Sequence, residues 1–209
     1  MPRVTVKICG LTNPDDAREA HAAGADFLGF VFFPSSRRCL GENAAAWIAG
    51  LPGRKVGVFR DQPPAFVARV RDAARLDLVQ LHGGEPLEAC AALGGRESVI
   101  KAISVADALD WDAVAAYADV ARVLFDTASP TGGGTGATFD WGLLKCRPAG
   151  LRFWLAGGLR PANVGGAIAV VRPEGVDVAS GVERSVGRKD PATIRAFIAA
   201  VRAAEGAEP

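Results

Sequence analysis

The sequence predicts an α/β protein in which eight parallel strands close into a (β/α)8 barrel, one domain over residues 1–209. Three observations carry this reading. Short apolar segments alternate with helical segments that carry their own start signals, eight such β-then-α units can be counted, and the chemically useful residues fall just after strands. Eight parallel strands joined by crossover helices make either an open doubly wound sheet or a closed barrel, and this repeat length and count fit the barrel. A chain of 209 residues is long enough for one sizeable core.

The first strand lies within VTVKICGLT at 4–12. Alternation puts Lys7 and Cys9 on one face and Ile8 on the other. Asn13, Pro14, Asp15 and Asp16 then read as an N-cap, a proline at the first helical position and acids in the first turn, so a helix runs to about Ala23 and stops at Gly24. Residues 27–33 are too continuously apolar to have a solvent face and form strand two. A polar loop, PSSRR at 34–38, leads to a short helix at 42–49 and strand three at 54–59. Phe66, Val67 and Val70 stripe the next helix. Strand four follows at 78–81, a helix at 86–93, strand five at 99–103 and a helix at 111–117. Strand six, 121–125, ends on Asp126, and the glycine-rich TASPTGGGTG after it leads to a helix starting at Phe139-Asp140-Trp141. Strand seven (153–156) ends in Gly157-Gly158-Leu159 before a helix from Pro161, and strand eight (176–178) ends in Ser180-Gly181. Asp190-Pro191 starts the last helix, where Ile194, Phe197, Ile198 and Val201 recur at i, i+3, i+4 and i+7 and mark one buried face.

Composition narrows the partner. Lys and Arg number 24 against 23 Asp and Glu, a formal charge of +1, so there is no basic footprint for nucleic acid or an anionic membrane. No 18-residue apolar run and no leader is evident, which predicts a cytoplasmic protein acting on a small molecule. Four cysteines without CxxC spacing and two histidines suggest neither a zinc site nor a disulfide framework.

In a barrel of this type the site lies at the C-terminal strand ends, and Cys9, Arg38, His82, Asp126, Gly157 and Ser180 all fall there. Cys9 is either a small buried hydrophobe or, with Lys7 close enough to lower its pKa, a thiolate base. Asp126, ending an apolar strand, suits a general acid or a loop cap. His82 in QLHGGE is an acid, a substrate donor or a satisfied rim residue. Asp177 replaces an expected apolar residue inside strand eight, faces the barrel mouth, and accepts from substrate hydroxyls or from neighbours. Gly157, Gly158, Ser180 and Gly181 make paired turns after strands seven and eight, which are either tight turns alone or, through exposed backbone N–H groups, a phosphate clamp. Arg37 and Arg38 are either a solvated pair or a fork for a substrate carboxylate. The loop at 127–138 reads as a lid.

KICGLT at 7–12, GFVFFPSSRR at 29–38, QLHG at 80–83, Asp126 with GGTG at 133–136 and FDW at 139–141, LAGGL at 155–159 and VDVASGVE at 176–183 stand in order along nearly the whole chain. Together they resemble the phosphoribosylanthranilate isomerases. The resemblance implies that Cys9 is the general base, Asp126 the general acid, and Arg38 the partner of the anthranilate carboxylate, with Arg37 standing where the family often has proline. It also implies an Amadori rearrangement in tryptophan biosynthesis, needing no metal or organic cofactor because the substrate nitrogen is the electron sink. A monomer or a homodimer fits. Two other readings are the related histidine-pathway isomerase, which typically has aspartate where Cys9 stands, and a silent barrel that only binds a sugar phosphate.

Overall fold

The computed structural model describes residues 3–128 and 138–206. The loop read as a lid lies, over residues 129–137, outside the described residues. The strands β1 (Thr5–Ile8), β2 (Phe27–Val31), β3 (Arg54–Phe59), β4 (Leu78–Leu81), β5 (Val99–Val105), β6 (Arg122–Thr127), β7 (Phe153–Leu155) and β8 (Gly175–Val178) form a closed barrel in sequence order. Every neighbouring pair is parallel, and β8 closes on β1 with Lys7 opposite Asp177.

The helices are α1 (Pro14–Ala22), α2 (Ala45–Ala49), α3 (Pro64–Ala74), α4 (Leu87–Ala92), α5 (Trp111–Val120), α6 (Pro161–Val171) and α7 (Pro191–Glu205). Their starts follow the local chemistry. Asn13 accepts from the Asp16 N–H, Asp110 from Asp112 and Ala113, and Asp190 from Ala192, satisfying donors that a helix leaves open. α3 and α6 end where the sequence offers no glycine: Arg75 and Arg172 adopt left-handed conformations, at φ 50° and 49°.

Period two sorts the strand residues into an inside and an outside. Outward residues such as Ile8, Phe30, Val79 and Phe125 pack under the helices. Phe27, Val56, Leu78, Ile100, Leu124 and Trp154 fill the barrel interior, which is a packed core with no pore. Gly175 makes room for the largest of them, since a Cβ there would lie 2.9 Å from the Trp154 indole. Above this layer the inward positions turn polar, and that change of chemistry marks the floor of the site.

Three local features differ from the expected pattern. The sixth crossover is a 3-10 helix, Trp141–Cys146, because Gly142 near its start and Pro148 just beyond its end leave too short a run for an α-helix. Residues Glu42–Ala44 are also 3-10, leading into α2. After β8 a 3-10 turn, Ser180–Val182, passes into a hairpin of β9 (Glu183–Ser185) and β10 (Arg188–Lys189) that the sequence pattern did not announce. Among the described residues no helix is long and apolar enough to cross a membrane.

Candidate active site

A cavity of about 440 Å³ opens at the C-terminal ends of the strands. Cys9, Arg37, Arg38, His82, Asp126, Gly157, Gly158, Asp177 and Ser180 all line it, so residues spread over most of the chain meet at one mouth. Gly181 is the exception among the expected site residues. A Cβ there would run into the Leu159 carbonyl oxygen, so its place is to let the turn after β8 seat against the turn after β7. Gly157 and Gly158 both have positive φ, 85° and 61°, and their backbone N–H groups have no acceptor among the described residues.

Lys7 and Asp177 face each other across the β1–β8 seam, Nζ donating to Oδ2 at 2.9 Å, with Lys7 fully buried. Burial works against the Lys7 charge, but Asp177 and then Cys9 outweigh it and hold the ammonium above its ordinary pKa. Burial pushes the Cys9 thiol up, Asp177 adds to the rise, and together they outweigh the downward pull of Lys7 and Lys189. The second carboxylate oxygen of Asp177, Oδ1, is buried and has no hydrogen-bond partner among the described residues. The residue itself lines the cavity.

Across the mouth, His82 Nε2 lies 3.3 Å from Asp126 Oδ2, and Gln80 Nε2 lies 2.9 Å from His82 Nδ1. An amide N–H of Gln80 directed at Nδ1 goes with the His82 tautomer whose proton is on Nε2, the nitrogen on the Asp126 side. The ring stacks on Phe33 at 6.4 Å between centroids, which fixes its plane. Asp126 Oδ1 accepts from the Thr127 N–H at 2.8 Å. β6 continues through Thr127, so Asp126 is held within a strand and not on the loop after it.

The two arginines separate clearly. Arg37 is exposed at the rim. Arg38 is buried, and its Nε and Nη2 donate to the two oxygens of Glu183 at 2.7 and 2.6 Å. Glu183 also accepts from Lys189 Nζ at 2.9 Å. Burial raises the Glu183 pKa, but Arg38 and Lys189 together outweigh that and hold the carboxyl below the ordinary value.

Sequence reasoning missed four residues. Gln80 is a polar side chain at an inward position of β4, a signal of the same kind that marked Asp177. Gly29 is where β2 passes under the thiol, and a Cβ there would lie 2.8 Å from Cys9 Sγ and 3.0 Å from Lys7 Cε. Glu183 and Lys189 carry no local signal, since each acts through partners that folding alone brings near.

Residues 6–200 match the family model for N-(5'-phosphoribosyl)anthranilate (PRA) isomerase. A relative of that name from Geobacter sulfurreducens is 50% identical over 199 residues, covering 93% of this chain and 97% of its own length. The Thermotoga maritima phosphoribosyl anthranilate isomerase crystal structure superposes with a TM-score of 0.85 at 40% identity, covering 96% of this chain and 99% of that one. A structure of phosphoribosyl anthranilate isomerase in complex with reduced 1-(o-carboxyphenylamino)-1-deoxyribulose 5-phosphate superposes with a TM-score of 0.83 at 39% identity, with the same coverage. On the match of sequence and fold over nearly its whole length, the chain is an isomerase and belongs to the N-(5'-phosphoribosyl)anthranilate isomerase family.

Proposed function

We propose that this chain converts N-(5-phosphoribosyl)anthranilate to 1-(2-carboxyphenylamino)-1-deoxyribulose 5-phosphate in tryptophan biosynthesis, in the cytoplasm, as a monomer or homodimer, with Cys9 as general base and Asp126 as general acid. The observation that supports these roles is the placement of one thiol and one carboxylic acid on different strands of a single cavity, Cys9 after β1 and Asp126 in β6. The phosphate is assigned to the Gly157, Gly158 and Ser180 turns, with Gly181 allowing their close approach. Arg38, on the loop after β2, takes the aryl carboxylate.

Asp126 gives a proton to the ring oxygen, the furanose opens, and the anthranilate nitrogen becomes a Schiff base. That cation acidifies the C2′ hydrogen, and Cys9, as thiolate, removes it to leave an enolamine. Tautomerisation then moves one proton from the enol oxygen and adds one at C1′, giving the ketone. Cys9 and Asp126 return to their starting states by exchanging one proton through solvent. A raised thiol pKa leaves only a fraction of Cys9 as the thiolate that starts the cycle and makes that thiolate the stronger base toward the C2′ hydrogen. Asp177 Oδ1 accepts from a substrate hydroxyl, and His82 keeps Asp126 oriented.

The test is turnover of freshly generated substrate, followed through loss of its anthranilate-type fluorescence. Cys9→Ala abolishes turnover while a product analogue still binds within a few fold, because the thiolate acts in the transition state. Asp126→Asn lowers kcat by about 10²-fold or more. Near wild-type turnover in Cys9→Ala removes the base assignment, and a change confined to KM in Asp126→Asn makes Asp126 a binding residue.

A further inference from the structure

We propose that Glu183 is a positioning residue: from the β9–β10 hairpin it grips one side of the Arg38 guanidinium, leaves the other edge directed at the cavity, and so sets the preference for a substrate with an aryl carboxylate. This rests on the reading that Arg38 meets that carboxylate. The geometry is specific. Glu183 accepts from Nε and Nη2 at 2.7 and 2.6 Å, the side-on pair of the guanidinium. Among the described residues Nη1 donates to nothing, so the end-on pair of N–H groups remains for a second carboxylate. Arg38 lines the cavity with 10% of its side chain exposed, whereas Glu183 is 5% exposed and does not line it. Glu183 therefore acts through Arg38 and not on substrate.

Two further features narrow the arrangement. Gly10, at φ 72°, leaves the space that the arginine stem occupies, because a Cβ there would overlap Arg38 Cδ. Lys189, fully buried, donates to the same carboxylate at 2.9 Å and to the Ala179 carbonyl at 2.9 Å. Glu183 is shared between Arg38 and Lys189, so it orients Arg38 without being given wholly to cancelling its charge. The alternative is that this triad only staples the hairpin to the barrel.

The experiment separates the two by substrate choice. kcat/KM is measured for the anthranilate substrate and for its aniline counterpart, which lacks the carboxylate, in wild type, Glu183→Gln, Arg38→Met and the double variant, with thermal melting recorded for each. Positioning through Arg38 lowers the anthranilate-to-aniline ratio of Glu183→Gln by about 3- to 30-fold, mainly through KM, and Glu183→Gln then adds little in the Arg38→Met background. A staple lowers both substrates equally and leaves the ratio unchanged, which overturns the proposal even if the variant is less stable. Should Arg38→Met itself leave the ratio unchanged, the carboxylate is bound elsewhere, and the proposal falls with the reading beneath it.

Discussion

Cys9 sits in an environment that holds its proton on. The side chain is buried, and burial raises the thiol pKa more than Lys7 and Lys189 lower it, while Asp177 adds to the rise. A buried thiol therefore has little thiolate at neutral pH, and its alkylation rate climbs with pH through a midpoint above the ordinary value of 9.0. Peptide-resolved mass spectrometry after brief iodoacetamide pulses across a pH series measures that midpoint. Lys7→Met moves it further up, because the variant removes the largest downward pull and leaves Asp177 in place. A wild-type midpoint below 9.0 would show that Lys7 and Lys189 outweigh burial at this thiol. At this scale much of the site was legible: Cys9, His82, Asp126 and Asp177 announced themselves as polar residues at strand ends or in an apolar strand. The direction of the thiol shift was not, because it depends on burial and on Asp177 across the barrel seam. Glu183 was illegible for the same kind of reason, standing 145 residues from Arg38 in the chain.

At the scale of elements, the strand that carries no chemistry decides where the chemistry sits. β2 passes beside β1, and Gly29 faces the barrel interior against both Cys9 and Lys7. An alanine methyl there would lie 2.8 Å from Cys9 Sγ and 3.0 Å from its Cα, so the thiol or the strand must move. Overpacking of this kind costs about 1 to 3 kcal/mol. Gly29→Ala is expected to keep the far-ultraviolet circular dichroism of the wild type, to melt lower, and to lose kcat at least tenfold on the order expected for a displaced catalytic group. Unchanged kcat would show that the thiol tolerates the shift. The barrel order was readable because strands, caps and breakers are local signals: Asn13, Asp110 and Asp190 start helices through contacts within three residues. The 3-10 crossover at Trp141–Cys146 and the β9–β10 hairpin were not, since one hinges on a helix cut short between Gly142 and Pro148 and the other on a two-residue strand held by tertiary contacts.

Across the whole molecule, buried ion pairs tie the C-terminal loops together, and this couples stability to acid. Glu85 accepts from the backbone N–H of Asp61 and of Gly83, each at 2.9 Å, and from Lys101 Nζ at 3.0 Å, joining the loop after β3 to the loop that carries His82. Glu183 joins the loop after β2 to the hairpin after β8 in the same way. Burial raises both carboxyls, but the hydrogen bonds and cations around them outweigh it, so each titrates below the ordinary glutamate value of 4.5. A carboxyl whose pKa is lowered by folding contributes stability that is fully present above 4.5 and is lost as pH falls through the lower, folded-state value. Melting temperature in wild type should therefore hold steady above the ordinary glutamate value of 4.5 and fall as the pH drops below it. Glu85→Gln keeps an oxygen acceptor but cannot titrate. It should melt lower than wild type at pH 7, because Lys101 loses its counter-charge in a buried position, and should then fall less on acidification, so that the two curves converge toward pH 3. Melting curves that stay parallel from pH 7 to about pH 3 would show that Glu85 does not titrate with folding, and that the acid sensitivity of the barrel lies in other carboxyls.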